Sequence, residues 1–127
     1  IFLKDKKIKN IKLPVSAPFH CELMTKATDI MRKELENVDF KKSNNTLISN
    51  VTANEILDVK DLKNLLISQI EKKVRWRESI INMVNYGVSQ FIEIGPGKVL
   101  SGLIKRINKN VKITSINNLS DIESLKI

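Results

Sequence analysis

His20 is the only histidine among the 127 residues of this chain. An imidazole, with an unperturbed pKa of about 6.5, can take up and return a proton near neutral pH, so the position is a candidate general base. It follows Pro18 and Phe19 and stands directly before an amphipathic stretch. A surface or helix-capping histidine would have the same neighbours, and residue type alone does not separate the two readings. Cys21 comes next, an order that invites a thiol nucleophile beside its base. Adjacent residues seldom turn their side chains toward each other, and a cysteine at the head of a helix is commonly a small apolar filler, so a cysteine enzyme is rejected. One cysteine and one histidine cannot build a zinc cluster or an intrachain disulfide. Neither a metal nor a bound cofactor is expected.

Gly95-Pro96-Gly97-Lys98, followed by Ser101-Gly102, is the other stretch whose residue types suit a ligand. Glycine-rich turns between a strand and a helix can cradle phosphate, but the spacing here fits neither the Walker loop nor the dinucleotide fingerprint. Pro96 also removes an amide donor. A sharp strand-to-helix turn is the better reading. Lys72-Lys73-Val74-Arg75-Trp76-Arg77 could stack against and neutralise nucleic acid. Aromatic residues make up only 5% of the chain, and Trp76 falls on an apolar stripe with Ile80 and Val84, so core packing is preferred for it.

The elements that must position these groups follow from periodicity. Residues 1–12, with five lysines, read as a connector entering a strand at Leu13 to Ser16. Leu23, Ala27, Ile30, Met31, Leu35 and Val38 recur at steps of three and four and predict an amphipathic helix. Thr46 to Val51 predicts a buried strand with Asn50 at its end. Asp61 is read as the cap of a second helix, with Leu62, Leu65, Leu66 and Ile70 facing inward. A third helix runs through Trp76, Ile80, Ile81 and Val84 to a stop at Gly87. Phe91 to Ile94 is a strand, Val99 to Ile107 a helix ending near Asn108, and Val111 to Ile116 a final strand. Helices alternating with strands imply an α/β layer structure with a parallel sheet. Its functional groups should collect in loops beyond the strand ends, here Ser16 to His20, Ser49 to Asn54 and Gly95 to Lys98.

Composition is that of a packed globular chain, 42% hydrophobic and 28% charged, which excludes collagen-like, disordered and membrane-embedded classes. The formal charge is +8, but the basic residues are interspersed with acidic ones. Lys, Asn and Ile, at 18, 13 and 18 copies, all have AT-rich codons, so coding bias accounts for much of the excess. The first residue is Ile1 rather than Met, and the chain is expected to be a piece of a longer polypeptide.

Five motifs in order carry a family resemblance: Leu13-Pro14-Val15-Ser16-Ala17-Pro18-Phe19-His20, then Leu23-Met24, Ile48-Ser49-Asn50-Val51, Val74-Arg75-Trp76, and Glu93-Ile94-Gly95-Pro96-Gly97-Lys98-Val99-Leu100-Ser101-Gly102-Leu103. From Leu13 onward the chain resembles the C-terminal part of malonyl-CoA:acyl carrier protein transacylases. The resemblance implies an acyltransferase of type II fatty acid biosynthesis that moves malonyl from coenzyme A to the phosphopantetheine thiol of acyl carrier protein through a malonyl-serine intermediate. His20 matches the catalytic histidine of a Ser/His dyad. Gln69 matches the residue whose main-chain carbonyl accepts from that ring, so its side chain is expected to be nearly silent to substitution. Asn50 is a supporting residue by the same matching, with a turn asparagine as the alternative. Phe19, immediately before the histidine, goes with malonyl rather than methylmalonyl in related acyltransferase domains, where a bulky ring occupies the space of an α-methyl.

The implied fold is the C-terminal part of a large three-layer α/β/α subdomain with a parallel, hydrolase-like sheet over residues 13–127, the ferredoxin-like small lobe being largely or wholly absent. The family's Gly-His-Ser-Leu-Gly elbow and its carboxylate-binding arginine have no counterpart in this sequence, so the fragment alone should be inert. Acyl carrier protein, malonyl-CoA and the upstream half of the polypeptide are the implied partners, with no nucleic acid and no membrane. Lys98, Lys105 and Arg106 near the glycine turn are candidates for docking the acidic carrier, a solvated basic face being the alternative. The AT-rich coding bias, taken with dissociated fatty acid synthesis, points to an apicoplast or other plastid stroma, with the cytoplasm as the alternative location. The rivals are a non-catalytic interaction domain of the same fold and a basic nucleic-acid-binding module.

Overall fold

A computed structural model describes residues 2–11 and 15–125. A short helix α1 (Phe2–Asp5) precedes a 3-10 turn at Glu22–Met24 and the helix α2 (Thr25–Glu36). Then follow α3 (Val59–Ser68), α4 (Trp76–Asn85), β1 (Gln90–Ile94), α5 (Val99–Ile107), β2 (Lys112–Ile116) and α6 (Leu119–Glu123). The two strands pair in parallel with Gln90 opposite Lys112 and Ile94 opposite Ile116, and α5 makes the crossover between them, as parallel strands require. The α/β class with a parallel sheet is therefore the observed one. No helix among the described residues is long and apolar enough to cross a membrane.

The buried apolar residues are Ile67 of α3, Ile80 of α4, Ile104 of α5, Ile116 of β2 and Ala53 from the loop before α3. α4 packs on α5 and α5 on both strands, while α3 packs on α2, so the buried residues are few and divided among these contacts. The exposed remainder is large: the chain presents 10540 Å² to solvent, against about 6,900 Å² for a free-standing monomer of this length. Leu23, Ile30 and Met31 of the first amphipathic stretch are exposed, as are Ile92 and Ile94 of β1 and Val99 of α5. The apolar periodicity of α2 is real, but within this chain the stripe is mostly uncovered.

Three sequence expectations need correction or fall outside the described region. Thr46 to Val51 is not a strand; Ile48 makes one isolated antiparallel bridge, to Glu55. A strand exists only with a partner, and the chain here folds back at once. Ser49 accepts from the Ala53 amide and donates its own to Asn54, each at 2.9 Å. The cap of α3 is Asp58, not Asp61: Asp58 has extended backbone and its carboxylate accepts from the Lys60 amide at 2.6 Å, which places Asp61 inside the first turn and Ile70 beyond the helix end. Of the strand expected at Leu13 to Ser16, residues 13 and 14 lie outside the described residues, as does the connector boundary; Val15 and Ser16 are not in a strand. The predicted stop at Gly87 corresponds to φ +93° just past the end of α4, the left-handed position in which glycine commonly terminates helices.

Candidate active site around His20

α3 ends at Ser68, and the carbonyls just beyond a helix end lack intrahelical donors. Two of them, on Gln69 and Ile70, are taken by a single residue. The His20 amide donates to Ile70 O at 3.1 Å, and His20 Nδ1 lies 2.7 Å from Gln69 O. A carbonyl can only accept, so Nδ1 carries the hydrogen, and in the neutral ring Nε2 keeps its lone pair. The ring is exposed, leaving Nε2 open to a reactant. His20 itself sits at φ +61°, the left-handed region that costs an L-residue about 1–2 kcal/mol. The double clamp on the α3 terminus holds it there.

Asn50 joins this cluster by a different route. Its Nδ2 donates to Gln69 Oε1 at 3.1 Å, so the Gln69 side chain, expected to be idle, is engaged. Asn50 O in turn accepts from the Arg75 amide at 2.9 Å, and Arg75 Nη1 donates to Thr52 O at 3.1 Å. Arg75 was visible in the sequence only as part of a motif, with no signal of this task. Phe19, next to the histidine, is 59% exposed. The Cys21 thiol donates to Pro18 O at 3.1 Å rather than to the imidazole, in keeping with the rejection of a thiol and histidine pair. Trp76 is half-buried, and its indole N–H is buried with no acceptor among the described residues.

The glycine turn is built separately. Gly95 N donates to Ile116 O at 2.9 Å and Gly97 N to Asn117 Oδ1 at 2.7 Å, with φ +135° and +96° at the two glycines. Glu93 at the end of β1 reaches past the turn and accepts from the Leu100 and Ser101 amides at 3.0 and 2.8 Å. A carboxylate from the strand thereby caps α5, whose own cap position, Lys98, provides no side-chain acceptor. The Ser101 side chain and then its amide hold the Glu93 carboxyl below its ordinary range, against a smaller opposing effect of desolvation. Ser101 Oγ also lies 2.8 Å from Ser115 Oγ; when Ser101 donates to Glu93, Ser115 is the donor in that pair. Among the described residues no hydrogen bond joins this turn to the His20 cluster, so two of the three expected loops meet and the third stands apart.

Lys98, Lys105 and Arg106 are all exposed. Lys98 precedes α5, and the other two lie in its last turn, roughly 10 Å further along the axis. Cations there complement the negative end of the helix dipole. Among the described residues no group of three His, Cys, Asp or Glu could hold a metal ion.

No family model matches the chain. Curated relatives do. The malonyl CoA-acyl carrier protein transacylase of Bacillus subtilis (strain 168) is 43% identical over 113 residues, 89% of this chain and 36% of its own length. Among solved structures, the malonyl CoA-acyl carrier protein transacylase of Clostridium perfringens superposes with a TM-score of 0.87 at 41% identity, covering 97% of this chain and 39% of that one. A type II polyketide synthase acyl-carrier protein in complex with its malonyl-transacylase gives 0.86 at 32% identity, with 95% and 40% covered. The chain spans a little over a third of the length of the curated relatives it matches. Over nearly all its residues this chain is a homologue of the malonyl CoA-acyl carrier protein transacylases.

Proposed function

We propose that this chain carries the histidine of a malonyl-CoA:acyl carrier protein transacylase acting in type II fatty acid biosynthesis. The observation that carries the reading is the 2.7 Å bond from His20 Nδ1 to Gln69 O, which leaves Nε2 as an oriented, solvent-facing base. A carbonyl in place of the usual carboxylate fixes the ring by geometry and adds no full charge. The nucleophilic serine stands elsewhere in the polypeptide. Nε2 takes the proton of that hydroxyl as its oxygen attacks the malonyl thioester carbon; the carbon–sulfur bond breaks, and the proton passes to the departing coenzyme A thiolate. The resulting malonyl-serine ester is attacked by the carrier's phosphopantetheine thiol, whose proton goes through Nε2 back to the serine oxygen. No cofactor takes part. The Phe19 ring narrows the space beside the base and favours malonyl over its α-methyl homologue. The acidic carrier meets the basic surface that Lys98, Lys105 and Arg106 contribute to, and residues 13–127 are part of the large α/β subdomain, entered by a connector at 1–12.

The test is a mass-spectrometric transfer assay on the full-length polypeptide. Malonyl-CoA and holo acyl carrier protein are supplied, and wild type is compared with His20→Ala for malonyl mass on the carrier. Transfer by wild type and its near loss in the variant is the expected result. Folded protein that transfers nothing in either form overturns the enzyme reading in favour of a non-catalytic interaction domain.

A further inference from the structure

The proton transfers above use the Gln69 main chain but leave its side chain and Arg75 without a task. We propose that Arg75, Asn50 and the Gln69 side chain form a positioning relay, which holds the Gln69 carbonyl where the His20 ring needs it; the inference rests on His20 being the base. Gln69 lies one residue past the end of α3, where the backbone is freest to fray. Its carbonyl is the only partner of the His20 ring among the described residues, so the ring can be no better oriented than that carbonyl. The side chain supplies a tether, with Oε1 held by Asn50 at 3.1 Å. Asn50 would be a poor anchor on a free loop, but its loop is pinned at three carbonyls, all by α4 and the residue preceding it. The Arg75 amide holds Asn50 O at 2.9 Å, Arg75 Nη1 holds Thr52 O at 3.1 Å, and Asn82 holds Ala53 O at 2.9 Å. Arg75 Nε is itself steadied by Glu78 at 3.5 Å, and α4 is locked by Ile80, which is wholly buried. Orientation thus passes from the rigid helix to the turn, from the turn to Gln69 and from Gln69 to the imidazole. Among the described residues none of the three side chains hydrogen-bonds to the ring, so they act as positioning residues.

The experiment uses the full-length polypeptide and the variants Asn50→Ala, Gln69→Met, Arg75→Ala and Arg75→Lys. Gln69→Met keeps length and volume while removing the acceptor, which guards against a folding defect. Two readouts are taken. The first is the tautomer of neutral His20 from nitrogen-15 spectra of its ring: wild type carries the hydrogen on Nδ1, and the first three variants show a mixture with the Nε2–H form. The second is steady-state transfer, in which kcat falls roughly 10- to 100-fold while KM for malonyl-CoA stays within about twofold. Arg75→Lys, still able to reach Thr52 O, recovers most of the loss. Asn50→Ala combined with Gln69→Met loses no more than the worse single variant, because both remove the same bond. Folded variants that keep a pure Nδ1–H ring, or a double variant whose losses multiply, overturn the relay. The tautomer readout needs no activity. A wild type that transfers nothing therefore refutes the proposed reaction while the spectra still decide the relay.

Discussion

Among the described residues Ile80 is the one large side chain that solvent does not reach at all, at 0% exposure, whereas Ile94 at the end of β1 is 80% exposed. Truncating each to alanine removes the same atoms, so the difference between the two is dominated by packing, with helix and strand propensity contributing up to about 1 kcal/mol. Loss of three buried carbons costs about 2.4 kcal/mol at roughly 0.8 kcal/mol per group. If the surroundings do not collapse, a void of about 80 Å³ adds up to about 2 kcal/mol more. Ile80→Ala should therefore destabilise by about 2.5–4.5 kcal/mol and Ile80→Val by about 0.5–1.5 kcal/mol, while Ile94→Ala, which gives up only a fifth of such burial, should cost about 0.5 kcal/mol or less. Urea unfolding followed by circular dichroism reads these values, with unchanged slope and shifted midpoint. Losses for Ile80→Ala and Ile94→Ala that agree within about 0.5 kcal/mol would refute the placement of α4 at the centre. Repeating the pair in the full-length polypeptide adds a second reading, because a rise for Ile94 alone would show that its face is covered there.

Asp58→Ala should lower stability by about 0.5–2 kcal/mol and Asp58→Asn by far less. Asp61→Ala, losing only a dipole interaction, should cost about 0.5 kcal/mol; equal effects in thermal melts would return the cap to Asp61. Glu93 has a depressed carboxyl, so its stabilising contribution is complete above the ordinary value of 4.5 and is lost as pH falls through the lower folded value. Melts of wild type and Glu93→Gln should accordingly differ at pH 6 and draw together as the pH falls below 4.5, and a gap independent of pH would contradict the cap. With malonyl-CoA and methylmalonyl-CoA in competition, Phe19→Ala should raise the methylmalonyl share on the carrier roughly tenfold or more; an unchanged ratio would remove Phe19 from the specificity site.

The second half of the chain was legible because its punctuation is local. Gly87, the Gly95-Pro96-Gly97 turn and Asn108 bound runs whose period is unambiguous, and β1, α5 and β2 fall where those runs lie. The strand expected at 46–51 failed for a non-local reason: β-prone residues state a preference, but only a neighbour makes a strand, and Ile48 finds none beyond Glu55. Asp58 and Asp61 are both plausible caps three residues apart, and the choice falls to the backbone that is extended, at Asp58. The capping box of Asn118 and Asp121 that starts α6 is encoded in their three-residue spacing. His20 could be nominated from residue type and setting. Its tie to the Gln69 carbonyl, 49 residues away, followed only from the family resemblance, and the tie of the Asn50 side chain to that of Gln69, across 19 residues, had no signal, because no periodicity encodes which partner a distant side chain will meet.

The left-handed backbone at His20 also filters what evolution can put there. At φ +61° histidine, asparagine, aspartate and glycine are tolerated, whereas β-branched side chains are strongly disfavoured. Selection on the turn against Ile70 therefore acts even after selection on the proton transfer has ceased. A descendant copy released from catalysis would be expected to drift first to Asn, Asp or Gly at this position and to keep its loop. Valine or isoleucine there would mark a lineage in which the loop itself had been rebuilt.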